Sequence, residues 1–309
     1  MTATPRVLTI TVGIPAHNEE KTILPLLDSV LHQEGSNFNI EKIVVILDGC
    51  TDTTAAKVKA LQKKHDKITI INDGKRTGKA LRLNQIYALN RSEALLTLDA
   101  DVRFASSNEL EKLCRALLTN KNALLVGPRY VPVQTNTFVG QCAVYSYLSF
   151  ENSILQYNAG QNIFALMGCC SLIRSSLVKE IRYPAGTISD QNYLYLSALA
   201  KNKNAFVFEK DASVLFKTVT TLADWWILSA RSVRGDREDA VSRFGEKIRE
   251  LYSMPRKLYF RSLLTFLFRS PVYTLGAIAL NILIRVFPYQ TAISAPGIWQ
   301  TTHSSKTTY

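Results

Sequence analysis

The first hundred residues alternate between strand-like and helix-like hydrophobic patterns, and three of the strand-like runs close on a polar signature. Residues 7–14 are apolar and β-branched and run into Pro15, then His17-Asn18-Glu19-Glu20. Residues 22–33 place Ile23, Leu26, Leu27, Val30 and Leu31 on one helical face. A second β run over 42–47 ends at Asp48-Gly49. The pattern then predicts a helix over 52–64, a strand over 68–71, a helix over 79–90 and a strand over 94–98 that ends at Asp99-Ala100-Asp101. Alternating strands and helices make βαβ units, so an α/β fold with a mainly parallel, Rossmann-like sheet flanked by helices is expected. Ligands of such sheets bind beyond the carboxyl ends of the strands. The three polar signatures should therefore meet at one edge.

After Asp101 the pattern is mixed. Short strands are predicted over 123–126, 163–167, 205–208 and 213–217, and helices over 138–156, 190–201 and from Leu222 onward. This reads as an α+β extension of the same domain, giving a catalytic body over 1–245. Residues 246–290 form a basic and apolar helical extension, and 291–309 read as a flexible tail. The opening run lacks a small-residue cleavage site and reads as a strand rather than a signal peptide.

Composition narrows the class. The apolar fraction is 47% and the net charge is +12, too apolar for a disordered chain. Mean hydropathy is near zero, too low for a polytopic membrane protein. Five scattered cysteines without a C-x-x-C argue against a disulfide framework or a zinc site and fit a reducing compartment. From Lys217 onward there are 13 Lys and Arg against 6 Asp and Glu, so the last third holds +7 of the charge. That asymmetry implies a phosphate-rich partner: nucleic acid, an anionic membrane or a phosphorylated substrate. Residues 270–284 carry no charge, and 270–288 are borderline for a membrane span. The stretch 256–269 interleaves aromatic and aliphatic residues with Arg256, Lys257, Arg261 and Arg269, a pattern suited to an interfacial helix on an anionic leaflet. The alternative is that both helices pack on the globular body.

Carboxylates at strand ends suit a hard divalent cation, since Mg²⁺ takes one or two of them and completes its shell with water and substrate phosphates. Neither G-x-G-x-x-G nor G-x-x-x-x-G-K-[ST] occurs. The loop 74–79 nevertheless offers Lys75, Arg76 and Lys79 to a diphosphate.

These motifs, in this order, resemble family 2 glycosyltransferases of the GT-A fold, of the non-processive type. The matching residues are IPAHNEE at 14–20, DGCTDTT at 48–54, GKALRLN at 78–84 and LDAD at 98–101. Gly168-Cys169-Cys170 is similar to the family's acceptor-side glycine loop, Ser189-Asp190-Gln191 to its acidic motif at a helix start, and TLADWW at 221–226 with Arg231 and Arg234 to its basic C-terminal helix. The resemblance covers roughly residues 7–240. It implies that Pro15, His17 and Glu19 line the nucleotide pocket, that Asp48 contacts the base and Asp99 the ribose or a metal-bound water, and that Asp101 binds Mg²⁺ or Mn²⁺. It further implies that Lys79 lies near the donor phosphate, that Gly168 and Cys169 shape the acceptor and donor loop, that Asp190 is the general base, and that Arg231 and Arg234 neutralise the departing diphosphate. The reaction implied is inverting transfer of one sugar from a UDP- or GDP-linked donor to a hydroxyl of a lipid-linked or cell-envelope glycan. The chain is then expected at the inner face of the cell membrane, with no nucleic-acid partner.

Three departures from the family pattern stand out. Cys50 replaces a common serine, Ser189 replaces a frequent glutamate, and Lys217 falls near where some members carry a metal-binding histidine. No Gln-x-x-Arg-Trp is present, which fits single-sugar transfer. Asp190 also stands where aspartate caps helices. Trp225 and Trp226 read as core residues. Two other readings stay open: a nucleotidyltransferase on a similar scaffold, and a non-enzymatic basic membrane-binding protein.

Overall fold

The computed structural model describes residues 6–234, 236–286 and 302–306; the side chains of 230–238 lie outside the described residues. Eight strands form one sheet: β1 (Leu8–Ala16), β2 (Phe38–Leu47), β3 (Ile68–Asn72), β4 (Ala94–Leu98), β5 (Val102–Phe104), β6 (Leu125–Pro132), β7 (Cys170–Arg174) and β8 (Phe206–Phe216), in the spatial order β3-β2-β1-β4-β7-β6-β8-β5. The helices are α1 (Ile23–Leu31), α2 (Thr54–Gln62), α3 (Lys79–Leu89), α4 (Glu109–Thr119), α5 (Phe138–Gln156), α6 (Ser175–Glu180), α7 (Asp190–Lys201), α8 (Leu222–Arg234), α9 (Asp236–Phe244), α10 (Arg256–Arg269) and α11 (Pro271–Val286).

The half from β3 to β4 is parallel, as the alternation predicts. The other half is mixed. β7 runs antiparallel to both β4 and β6, and β5 antiparallel to β8. This reversal matters for the site. Because β7 runs backwards, its first residue, Cys170, sits opposite Leu98 at the end of β4. The loop preceding β7 is thereby delivered to the edge where the parallel strands finish.

Two layers of helices cover the sheet. On one face Ile10, Val12, Ile43 and Leu96 pack with α1 and α4; on the other, Val44, Ile46 and Leu95 pack with α3, α6 and α7. Continuous apolar runs in β2 and β4 reflect burial on both faces.

Three predicted strands differ. Residues 163–167 do not extend: Ile163–Ala165 is a 3₁₀ turn. Asn162 enforces it, accepting from the Phe164 amide at 3.1 Å and donating to the carbonyls of Ile154 and Tyr157. The short strands predicted at 205–208 and 213–217 are one strand, β8. Its polar middle is absorbed by a slip in register, where Pro128 faces Glu209 and Arg129 faces Ser213. The strands β5 and β7 and the helix α4 were not expected from the pattern.

The C-terminal helices lie along α5. Tyr145 stacks on Tyr273, Asn152 donates to Ser262, and Asn281 to Ser146. Trp225 is buried with Cys142, Ala277 and Ile284, the core role expected for it. Among the described residues no helix is long and apolar enough to cross a membrane. At 16 residues, α11 spans roughly 24 Å at 1.5 Å per residue, short of a ~30 Å hydrocarbon core. The borderline stretch 270–288 thus forms no helix long enough to span within its described part.

Candidate active site

The carboxyl ends of β1 and β2 are laced together by side chains. Asn18 Oδ1 accepts from the Thr51 amide at 2.8 Å, Glu20 Oε2 accepts from the Thr53 hydroxyl at 2.7 Å, and Asp52 Oδ2 accepts from the Glu20 amide at 3.1 Å. Pro15 sits opposite Ile46 in the ladder, directly beneath this turn. His17 Nδ1 donates to the Asp48 carbonyl at 2.7 Å, because a carbonyl can only accept. Burial, aided by Arg76 and Lys306, holds its imidazole below the ordinary pKa. His17 is thus a neutral brace between β1 and β2.

Asp48 turns inward. Its oxygens accept from the amides of Thr77 and Gly78 at 2.7 and 3.0 Å and from Arg82 Nε at 2.8 Å. Burial alone would raise its pKa, but these donors outweigh burial and hold the carboxyl below the usual range. Arg82 is fully buried and also pairs with Asp73 at 2.7 Å. The pair clamps the 73–78 loop against β2. Gly49 permits the close approach: its φ is +62°, and a Cβ would lie 2.9 Å from the Arg76 amide. Arg76 Nη1 is buried there without a hydrogen-bond partner. Asp48, the residue expected at a nucleotide base, holds the 73–78 loop through these bonds.

Lys79, the first residue of α3, joins the end of β4 to the start of α7. Its Nζ pairs with Asp99 Oδ1 at 2.6 Å and Asp190 Oδ2 at 3.0 Å and donates to the Gly168 carbonyl at 3.2 Å. Burial opposes its charge, but Asp190 and Asp99 outweigh burial and raise its pKa. The resemblance implies a place near the donor phosphate for Lys79, whose three donors are engaged by Asp99, Asp190 and the Gly168 carbonyl. Ser189, not Asp190, caps α7, accepting from the Asn192 amide at 3.4 Å. The Asp190 carboxylate is thereby released from the capping role and faces Lys79. Gly168, at φ +78°, packs against this corner; a Cβ would lie 2.9 Å from Gln191. The Asp99 amide donates to the Cys169 carbonyl at 2.8 Å, which ties the glycine loop to β4. Burial raises the thiol pKa of Cys169 and Cys170 well above the ordinary value, so neither is a thiolate at neutral pH.

Negative charge accumulates at this edge. Glu19 is pushed up to about 7 by burial and then by Asp101. Asp99 is pushed up to about 6 by burial, with Asp101 and Asp190 adding to the effect against Lys79. Asp101 is half-buried between them. Among the described residues no group of three or more His, Cys, Asp or Glu side chains forms a ready metal cage. One or two hard oxygens beside a strand end are nevertheless what Mg²⁺ or Mn²⁺ needs when substrate phosphates complete the shell. The donor set fits such an ion.

Comparison with known proteins decides the family. The model described as "Glycosyl transferase family 2" matches residues 11–182. The chain belongs to glycosyl transferase family 2. It is 36% identical over 128 residues to the dolichyl-phosphate β-glucosyltransferase ALG5C of Trichomonas vaginalis, covering 38% of each chain. It is 24% identical over 202 residues to 4,4′-diaponeurosporenoate glycosyltransferase of Staphylococcus aureus, covering 65% of this chain and 48% of that one. The matches thus span less than half the length of these relatives. The fold is similar to the mannosyltransferase PcManGT of Pyrobaculum calidifontis in complex with GDP-Man and Mn²⁺, with a TM-score of 0.57, 19% identity, and coverage of 93% of this chain and 77% of that chain. It is also similar to S. aureus TarS 1–349 in complex with UDP, at TM-score 0.51 and 14% identity, covering 91% and 93%. These likenesses show the fold alone, a GT-A-like sheet flanked by helices.

Sequence reasoning missed two contributors to this edge. Arg82 had a signal: it shares the 79, 82, 83, 86 face of α3 with Leu83 and Ile86, so a buried arginine needing carboxylate partners was legible. Lys306, which pairs with Glu19 at 2.6 Å, had none, since nothing in a tail sequence says where it docks. The side chains of Arg231 and Arg234, expected at the diphosphate, lie outside the described residues.

Proposed function

We propose that this glycosyltransferase moves a single sugar, with inversion, from a UDP- or GDP-linked donor to a hydroxyl on a lipid-linked or cell-envelope glycan. The observation that carries the reading is the Lys79 bridge. One ammonium holds a donor-side carboxylate, Asp99, and an acceptor-side carboxylate, Asp190, within a single hydrogen-bonded cluster. Catalysis of this kind needs both within one substrate's reach.

In this reading the acceptor hydroxyl gives its proton to Asp190. Its oxygen bonds to the anomeric carbon as the bond from that carbon to the diphosphate oxygen breaks, and the electron pair leaves with the diphosphate. Lys79 holds the Asp190 carboxylate in place beside the reacting groups. A Mg²⁺ or Mn²⁺ ion held by Asp101 would supply Lewis-acid neutralisation of the diphosphate. Arg231 and Arg234 on α8 add cationic charge for the same leaving group. Pro15, His17, Glu19 and the loop clamped by Asp48 receive the nucleotide, and Gly168 and Cys169 separate sugar from acceptor. The test is a screen of UDP-, GDP- and dTDP-sugars for donor hydrolysis with and without Mn²⁺. Metal-dependent hydrolysis of a UDP- or GDP-sugar is expected; no turnover of any nucleotide sugar would overturn the reading.

The acceptor class follows from the far side of α10 and α11. Phe260, Leu264, Phe268, Val272 and Leu275 are exposed, Phe268 at 87%, alongside Arg256, Lys257, Arg261 and Arg269. Exposed aromatics beside clustered cations suit the headgroup zone of an anionic leaflet. Such a surface holds the chain at the inner face of the membrane, where a lipid-linked hydroxyl is presented. Co-sedimentation with phosphatidylglycerol vesicles is expected for the full chain. The Phe260→Ser/Phe268→Ser variant should bind at least about tenfold more weakly, since each buried aromatic is worth roughly 1.5–3 kcal/mol. Wild-type protein that stays in the supernatant at low salt would remove the membrane from the proposal.

A further inference from the structure

Residues 302–306 return to the acidic edge from the far end of the chain. Asp224, buried in the first turn of α8, accepts from the backbone amides of His303 at 3.1 Å and Ser304 at 2.6 Å. Ser304 Oγ in turn accepts from the Thr220 amide at 2.9 Å, and Ser305 is buried. Lys306 then reaches β1. Its Nζ pairs with Glu19 Oε1 at 2.6 Å and donates to the carbonyls of His17 at 2.9 Å and Asn18 at 3.4 Å. The side chain is only 16% exposed. An ammonium has three N–H donors, and one turn takes all of them.

That turn needs holding. Asn18 is left-handed, at φ +52°, a conformation that persists only where the surroundings over-determine it. The carbonyls of residues 17 and 18 converge on a single point, and without a cation there they would repel each other and the Glu19 carboxylate. The segment also ties the start of α8 to the end of β1. These elements are the diphosphate side and the nucleotide side of the proposed donor pocket.

We propose that Thr302–Lys306 is a strap that completes the donor site, with Lys306 a positioning residue that fixes the His17–Glu19 turn in its nucleotide-receiving shape. The inference rests on the donor-site reading given above. Lys306 does not itself neutralise the phosphates, since its donors are spent on the turn. Its contribution is pre-organisation: the turn is already ordered when the nucleotide arrives, and the ordering cost is not charged to binding.

The test uses the full chain as wild type, Lys306→Met and Lys306→Arg, titrated calorimetrically with UDP and with GDP in the presence of Mn²⁺. Lys306→Met is expected to weaken nucleotide binding and raise the donor KM by about tenfold, with turnover at saturating donor within about threefold of wild type. The melting temperature should hold within about 2 °C, and Lys306→Arg should recover most of the affinity. A general structural role would instead lower melting temperature and turnover together. Hydrogen exchange on the unmodified chain supplies a readout free of any folding defect in the variants. The His303 and Ser304 amides should exchange more slowly once nucleotide and Mn²⁺ are added. Unchanged or tighter binding by Lys306→Met, or faster exchange of those amides on nucleotide addition, would overturn the strap, the latter pair marking it as autoinhibitory. A wild-type chain that binds neither nucleotide would overturn the donor reading and the strap with it.

Discussion

Replacing Asp190 with asparagine is expected to lower turnover by about 10²–10⁴-fold, the usual worth of a positioned general base. Nucleotide affinity should change by less than about threefold, because the substitution keeps the shape of the side chain and the donor carboxylates untouched. The geometry makes the expectation specific. Ser189 has taken over the capping of α7, so an amide at position 190 costs the helix little. Lys79 keeps Asp99 and the Gly168 carbonyl as partners and remains in place. What disappears is the proton acceptor. Single-turnover measurements with saturating donor and a hydroxyl acceptor, beside calorimetry with UDP or GDP, separate the two effects. Near-normal turnover would remove Asp190 from the role of base.

Replacing Arg82 with methionine is expected to destabilise the fold by about 3–5 kcal/mol, the cost of leaving a buried carboxylate without its cation. Arg82 is wholly buried, and its loss strands Asp48 beneath the 73–78 loop and frees Asp73. A large fall in the denaturation midpoint is expected, together with weakened nucleotide binding, because the clamped loop walls the pocket. The depressed Asp48 carboxyl makes this stabilisation pH-dependent. Its stabilising contribution is complete above the unfolded carboxylate range near 4 and is lost as pH falls through the lower, folded value. The acid limb of the wild-type stability profile should therefore be partly flattened in the variant. Equal midpoints for the two proteins at neutral pH would show that the clamp carries no stability.

Much of this site was legible in residue order. The strand ends at 15–20, 48–52 and 99–101 were placed at one edge by the logic of parallel βαβ units alone, and the parallel half of the sheet bears that out. Helices α5, α7 and α10 were predicted to the residue, because long amphipathic or capped segments carry their own signals. The mixed half was less legible. β7 is five residues long and fully flanked by other strands, and no local pattern states that it runs backwards. Residues 163–167 form a continuous apolar run like a buried strand, yet one asparagine side chain satisfies the backbone differently.

The roles of individual side chains divide in the same way. Strand-end position marks Asp99 and Asp101 as candidate oxygens for a hard cation, whereas Asp190 enters only through the resemblance to the family's acidic motif at a helix start. Which groups those carboxylates and their neighbours touch was decided by tertiary structure. Asp48 turned inward to Arg82, Lys79 came to rest between Asp99 and Asp190, and Lys306 crossed from the far end of the chain to Glu19. Periodicity and motif spacing are local and survive in a string of letters. The pairing of buried charges depends on which segments the fold brings within about 3 Å, and that distance exists only once the chain has closed on itself.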